Sequence, residues 1–337
     1  EGAASTRLPF VGREVELAQA SAVLSTAQPG ALLHLRGEAG IGKSRLLAEI
    51  LANASGQGVT PIMAHAVDFG TARRQVPLRV LAEALIGHRP QWIDDPAVDA
   101  RLRAAVHDVV ERPMPPDLAA PYRAMEDSRR AAARAEAVAE LTTMVASTTP
   151  LVVVIEDLHW ADDTLRAFVR LLARRTATAR LVVVTTSRPE SDPVDAAFRR
   201  DLAGVSVVVV ELGPLRGAAM EALARAAASK VDQAVITVFI NRSGGNPLFL
   251  EQLALSTAEA QTTELPGSIR GLVQARLDRL ARADRAALQA ASVYGQRVPL
   301  AALRALAGGD GYDPRPLIEA GLLIDDGGGM LVFGHAL

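Results

Sequence analysis

The chain has 337 residues, 49% of them hydrophobic and 22% charged, which is apolar material for about two or three folded domains and excludes a chain disordered throughout. Lys and Arg number 36 against 38 Asp and Glu, a net charge of −2, which excludes a protein that holds nucleic acid by bulk positive charge. With no cysteine, disulfides, thiolate metal sites and thiol nucleophiles are excluded, and no apolar run reaches the roughly 18 residues of a membrane span.

EGAASTRLPF (1–10) lacks the basic-then-apolar order of a secretion signal, so a cytoplasmic chain is expected. GREVELAQASAVL then carries apolar residues at helical spacing, and ALLHLR (31–36) is a short apolar run of the kind found in buried parallel strands. GEAGIGKS follows, then the amphipathic RLLAEILANA, and PIMAHA (61–66) is a second candidate strand. Residues 70–149 have a mostly helical pattern broken by Pro90, Pro96, Pro113, Pro115, Pro116 and Pro121, which reads as a helical insertion. LVVVIED (151–157), LVVVTTSRPE (181–190) and VSVVVVEL (205–212) are strand signals, with a helix over 162–175 between the first two. Alternating strands and helices predict an α/β fold with a parallel sheet.

After Pro214 helices dominate, at 215–229, 231–243, 247–260, 267–282, 284–294 and 299–307, and LLIDDGGGMLVF closes as a hairpin with a glycine-rich turn. Helices followed by a hairpin predict a winged-helix unit over 266–337. The final FGHAL reads as the start of a further element, so the sequence is expected to be a piece of a longer chain. The predicted domains are therefore 1–213, a P-loop domain containing the 70–149 insertion; 214–265, a helical lid; and 266–337.

Gly37-Glu38-Ala39-Gly40-Ile41-Gly42-Lys43-Ser44 fits the phosphate-binding spacing G-x-x-x-x-G-K-[ST] between a strand and a helix. Gly37, Gly40 and Gly42 let backbone N–H groups, Ile41 included, turn toward phosphate oxygens at a helix N-terminus that Arg45 continues. Lys43 is one of only two lysines, with Lys230, in a chain whose other basic residues are arginines. A lysine kept at this position points to a need for a compact ammonium on a flexible stem, reaching the β- and γ-phosphates. Ser44 is placed to ligate Mg²⁺. Five apolar residues, 151–155, before Glu156 and Asp157 carry two carboxylates to the edge of the sheet where ligands bind. By position Glu156 holds the metal and Asp157 orients or deprotonates the attacking water. The metal position is usually Asp, so the reverse assignment stays open. Arg188, at the end of the next strand, suits a bidentate pair with a γ-phosphate or, alternatively, a surface ion pair.

FVGREVEL (10–17), GEAGIGKSRLL (37–47), LVVVIEDLHWADD (151–163), TTSRPE (185–190) and GGNPLFLEQL (244–253) occur in an order that resembles STAND-class regulatory ATPases, which are related to AAA+ proteins. The likeness extends to the ATPase cores of large LuxR-type transcription regulators and to the modules attached to adenylate cyclases or kinases. It implies an adenine nucleotide, ATP or ADP with Mg²⁺. It further implies that Val11, Gly12 and Arg13 pack near the adenine, that Pro247 contacts base or ribose while also starting a helix, and that His335 touches the ADP β-phosphate. His159 and Trp160 match its LHWAD segment without a chemical role.

A nucleotide touching Lys43, Pro247 and His335 would make the chain a switch, with self-association in the ATP form, slow hydrolysis, an unknown inducer and no membrane. An output on DNA would lie outside this chain. Two other readings stay open: a ring-forming AAA+ ATPase working on DNA, and a regulator whose winged helix reads DNA through Arg270, Arg276, Arg279, Arg282 and Arg285.

Overall fold

The computed structural model describes residues 8–25, 31–66, 76–229, 231–259, 280–294, 297–307, 311–320, 322–325 and 329–333, with Leu277 and Gly309 between them. His335, Lys230, Arg270, Arg276 and Arg279, and the helix expected over 267–282 up to its last residues, lie outside the described residues. Two compact units divide the chain. One comprises Arg13–Glu38 and Gly42–Gly213; the other comprises Glu1–Gly12, Ala39–Ile41 and Pro214–Leu337.

The first unit is built on five parallel strands: β1 (Ala31–Gly37), β2 (Thr60–His65), β3 (Leu151–Glu156), β4 (Leu181–Ser187) and β5 (Ser206–Leu212). Their order is β2-β3-β4-β1-β5, and β1 pairs with both β4 and β5 in parallel register. The strand that leads into the glycine-rich loop is thus separated from the strand carrying the two acids by β4. Every residue of β3 is buried, as its unbroken apolar run requires for a strand covered on both faces. β2 is an edge strand, where Pro61 costs no ladder hydrogen bond, and its burial alternates.

Helices connect these strands: α1 (Glu14–Ser25) before β1, α2 (Lys43–Gly56) after it, α3 (Val76–His88), α4 (Ala100–Val109), α5 (Pro116–Arg123) and α6 (Asp127–Ala146) between β2 and β3, α7 (Asp163–Arg175) after β3, and α8 (Ala196–Asp201) after β4. The prolines punctuate as expected: Pro90 opens a 3₁₀ turn and Pro116 opens α5, while Pro121 sits inside that short helix. α7 shows the local rules plainly. Asp162 caps it by accepting from Leu165 N at 2.8 Å, Arg174 and Arg175 close its negative end, and Leu165, Phe168, Val169 and Leu172 form its buried stripe. One cluster contains Leu81, Leu85, Val106 and Leu141 from α3, α4 and α6 together with Val153 and Ile155 from β3 and Phe168 from α7, so these helices share the core of the sheet.

The second unit contains α9 (Gly217–Ala227), α10 (Gln233–Ser243) and α11 (Pro247–Glu259), packed around Leu215, Met220, Phe239, Leu250 and Leu253, with Leu8 and Val11 against that cluster. Its later part holds α12 (Arg282–Tyr294), β6 (Arg297–Pro299), α13 (Leu300–Leu306), α14 (Arg315–Glu319), β7 (Leu323–Asp325) and β8 (Met330–Phe333). The three strands form an antiparallel sheet in the order β6-β8-β7 over a small core of Leu288, Leu303, Leu317 and Leu331. The hairpin expected near the end is present as β7 and β8; β6 was not legible because three residues carry no period.

Gly12 shows how tightly the N-terminal segment of this unit is held. Its φ of +68° is a left-handed conformation, and a Cβ built there would lie 2.3 Å from Ala219 Cβ. Gly12→Ala combines left-handed strain with a steric clash, and is expected to cost about 2 to 4 kcal/mol, read as earlier melting by circular dichroism. An unchanged melting curve would show that this approach is not fixed in solution.

Candidate functional site

Lys43, Ser44, Glu156, Asp157 and Arg188 all lie on the carboxyl side of the sheet in the first unit. Lys43 is the first residue of α2, and its buried ammonium donates to Gly37 O at 2.7 Å and Glu38 O at 2.9 Å. Burial pushes its pKa below the ordinary value; Asp157 opposes the shift and Arg188 adds to it. An ammonium held among backbone carbonyls with depressed basicity gains from an incoming phosphate charge. Gly42 sits at φ 104° before α2 and offers no side chain to the helix start, so the amides there are left to a ligand.

Glu156, the last residue of β3, is buried and accepts from Ser44 Oγ at 2.7 Å. Its other oxygen lies 3.5 Å from His65 Nδ1, a residue of neighbouring β2 at the matching register position. The next residue turns sharply: Asp157 has φ 55° and ψ 43°, a left-handed conformation that Asp tolerates better than most side chains. Thr186 Oγ1 fixes this turn by accepting from Asp157 N–H at 2.9 Å. The two acids therefore have different settings: Glu156 lies on Ser44 Oγ, and Asp157, in the left-handed turn, has its Oδ1 3.9 Å from His159 Nδ1.

Arg188 follows β4 directly and is half-buried, with no hydrogen-bond or ion-pair partner among the described residues. His159 is buried between Asp157 and Trp160, its Nδ1 3.9 Å from Asp157 Oδ1, and neither ring nitrogen makes a hydrogen bond among the described residues. Burial lowers its pKa, Asp157 opposes that, and Arg188 and Lys43 reinforce it, so the imidazole is neutral at ordinary pH.

Ser44 and Glu156 offer hard oxygen donors side by side, the chemistry Mg²⁺ requires. Among the described residues no group of three or more His, Cys, Asp or Glu side chains could hold a metal. Two protein oxygens suit an ion that keeps water and phosphate in its remaining positions.

Other expected residues are otherwise engaged. Arg13 is buried and donates to Glu16 Oε1 at 2.8 Å and to Gly213 O at 2.5 Å, fastening the start of α1 to the end of β5. Arg45 pairs with Glu49 at 3.1 Å along α2. In the second unit Val11 packs on the α9–α11 core and the Ile41 side chain is buried. Pro247 is the first residue of α11, and Asn246 caps that helix by accepting from Phe249 N–H at 3.2 Å. In the same unit Asn246 Nδ2 donates to Ala39 O at 2.9 Å and Leu248 N–H to Gly40 O at 3.3 Å. His335 lies outside the described residues.

Thr186, His65 and Asn246 were not singled out from the sequence. The usable signal for Thr186 was a run of polar residues ending a strand of valines.

Among the described residues no helix is long and apolar enough to cross a membrane. An uncharacterised protein of Rhizobium meliloti (strain 1021) is 28% identical over 326 residues, covering 88% of this chain and 31% of its own length. The crystal structure of a STAND protein with a tetratricopeptide repeat sensor from Pyrococcus horikoshii has a TM-score of 0.62 at 16% identity, over 98% of this chain and 43% of that one. Cdc6p from Pyrobaculum aerophilum gives a TM-score of 0.48 at 13% identity, over 98% and 93%. The chain thus spans about a third of the curated relative and less than half of the STAND protein, whose fold it shares. Residues 9–184 match the AAA ATPase domain family, more than half of the sequence, and the chain belongs to that family.

Proposed function

We propose that the chain is an ATP/ADP-dependent signalling switch that hydrolyses ATP slowly and whose ADP and ATP forms differ in conformation and self-association. The observation that carries this reading is the different settings of the two adjacent acids, Glu156 on Ser44 Oγ and Asp157 in a left-handed turn beside His159. That arrangement suits one carboxylate for a metal and the other for a water. In this reading Lys43 holds the β- and γ-phosphates, Ser44 and Glu156 hold Mg²⁺, Asp157 orients the attacking water, and Arg188 pairs with the γ-phosphate. The metal, when bound, neutralises charge on the phosphates. Every other part of the task falls to the chain's own side chains.

The α12–α14 helices with the three-stranded sheet support reading 266–337 as a winged helix, and α9–α11 support reading 214–265 as a helical lid. Regulation of transcription, through an output outside this chain, is the finer form of the proposal. The test is mass spectrometry of nucleotide carried through purification, followed by light scattering after exchange. Retained ADP and a larger particle on exchange to ATP–Mg²⁺ are expected. An empty site together with one particle size under all nucleotides would overturn the switch.

A further inference from the structure

A closed polar network lies beside the end of β4, where the nucleotide reading gives it no role. His34, in the middle of β1, is 0% exposed among strands otherwise lined by valine and leucine. Its Nδ1 meets Thr185 Oγ1 at 2.8 Å, and its Nε2 lies 3.0 Å from both Ser187 Oγ and Asp192 Oδ1. Ser187 Oγ and Val194 N–H donate to the same Asp192 oxygen at 3.0 and 2.9 Å. Arg36 Nε stands 3.3 Å from its second oxygen. Placing the ring proton on Nε2, so that Nδ1 accepts from Thr185, gives the buried atoms their partners. Burial alone would raise the Asp192 carboxyl, but the hydrogen bonds it accepts from His34, Val194 and Ser187 outweigh it and hold the group below the ordinary carboxylate range.

The network closes the base of a loop. Ser187 ends β4, a single 3₁₀ turn occupies Pro189–Ser191, and Asp192 follows, so the Ser187–Asp192 bond ties both ends of the intervening segment to His34 on β1. Arg188 is the first residue of that segment. Without a partner of its own among the described residues, its guanidinium is aimed by the backbone that carries it.

We propose that His34, Ser187 and Asp192 form a positioning clamp that sets where Arg188 meets the terminal phosphate. This rests on the reading of Arg188 as the γ-phosphate partner. The three residues touch neither phosphate nor metal in that reading, and act only through Arg188. Asp192 is the hub, since three separate donors converge on one of its oxygens.

The test is a double-mutant cycle of the parent protein, Arg188→Ala, Asp192→Ala and the double variant. Affinities for ATP–Mg²⁺ and ADP–Mg²⁺ are measured by calorimetry, and hydrolysis by single turnover. Asp192→Ala is expected to lose about ten- to a hundredfold in hydrolysis and in preference for ATP over ADP, the size of effect that a misplaced catalytic group produces. ADP affinity should stay within about twofold, and the double variant should be no worse than Arg188→Ala alone. Asp192→Asn keeps the acceptor for Ser187 and Val194 and should recover most of the loss. Additive losses overturn the clamp. So does an Asp192→Ala protein that behaves like the parent while Arg188→Ala does not. An Arg188→Ala protein equal to the parent removes the role of Arg188 and the clamp with it. A parent that binds neither nucleotide removes the site reading itself. Should Asp192→Ala fail to fold by circular dichroism, Ser187→Ala removes one donor to the same hub and carries the cycle.

Discussion

Lys43→Ala is expected to weaken ATP and ADP binding by about ten- to a hundredfold, because it removes a charge-assisted hydrogen bond to phosphate worth about 1.5 to 3 kcal/mol. The structure gives the reason for a loss this large. The ammonium is already desolvated and anchored on Gly37 O and Glu38 O, so it loses little hydration or side-chain freedom when a phosphate arrives. Lys43→Arg should not rescue it, since a planar guanidinium does not reproduce the tetrahedral donor geometry of one ammonium bonded to Gly37 O and Glu38 O. Isothermal calorimetry with Mg²⁺ present decides the matter. A Lys43→Ala protein that binds either nucleotide within about threefold of the parent would show that the phosphates lie elsewhere.

The second large effect separates the two acids. Asp157→Asn is expected to slow hydrolysis by about a hundred- to ten-thousandfold, the usual contribution of a positioned general base, with nucleotide affinity little changed. Glu156→Gln should instead remove the gain in ATP affinity that Mg²⁺ confers, because the Ser44–Glu156 pair loses its charged oxygen. Measuring single-turnover rates and Mg²⁺-dependent affinity in both variants tests the assignment directly. If Asp157→Asn loses the Mg²⁺ dependence and Glu156→Gln loses only the rate, the two roles are exchanged. Thr186 bears on the same result, since its hydroxyl holds the Asp157 turn from the neighbouring strand.

Much of this site was legible in the sequence because its parts are local. The glycine spacing, the lysine and the acids that end an apolar run each lie within a few residues, and local physics places each at a strand end. All five strands of the first unit were legible for the same reason. Their order was not, since a run of valines does not state which neighbour it pairs with. Only the position of Pro61 fits one choice, the edge. α8 and α14, six and five residues long, are too short to show a full apolar stripe. Contacts across the sheet were equally hidden: His34 and Ser187 lie 153 residues apart, and nothing near either announces the other. Thr186 and Asp157 belong to the same class. Arg13 was legible as a motif residue, but its bond to Gly213 needed the folded chain.

The helices between β2 and β3 have a consequence for engineering. Leu81, Leu85, Val106 and Leu141 are sealed against the same apolar mass as Val153, Ile155 and Phe168, so the segment is not a cassette that can be swapped or trimmed at its ends. Excising it would leave one broad side of the sheet wet and sticky. A chimera made with a homologue must therefore exchange that side of the strands along with the helices that cover it.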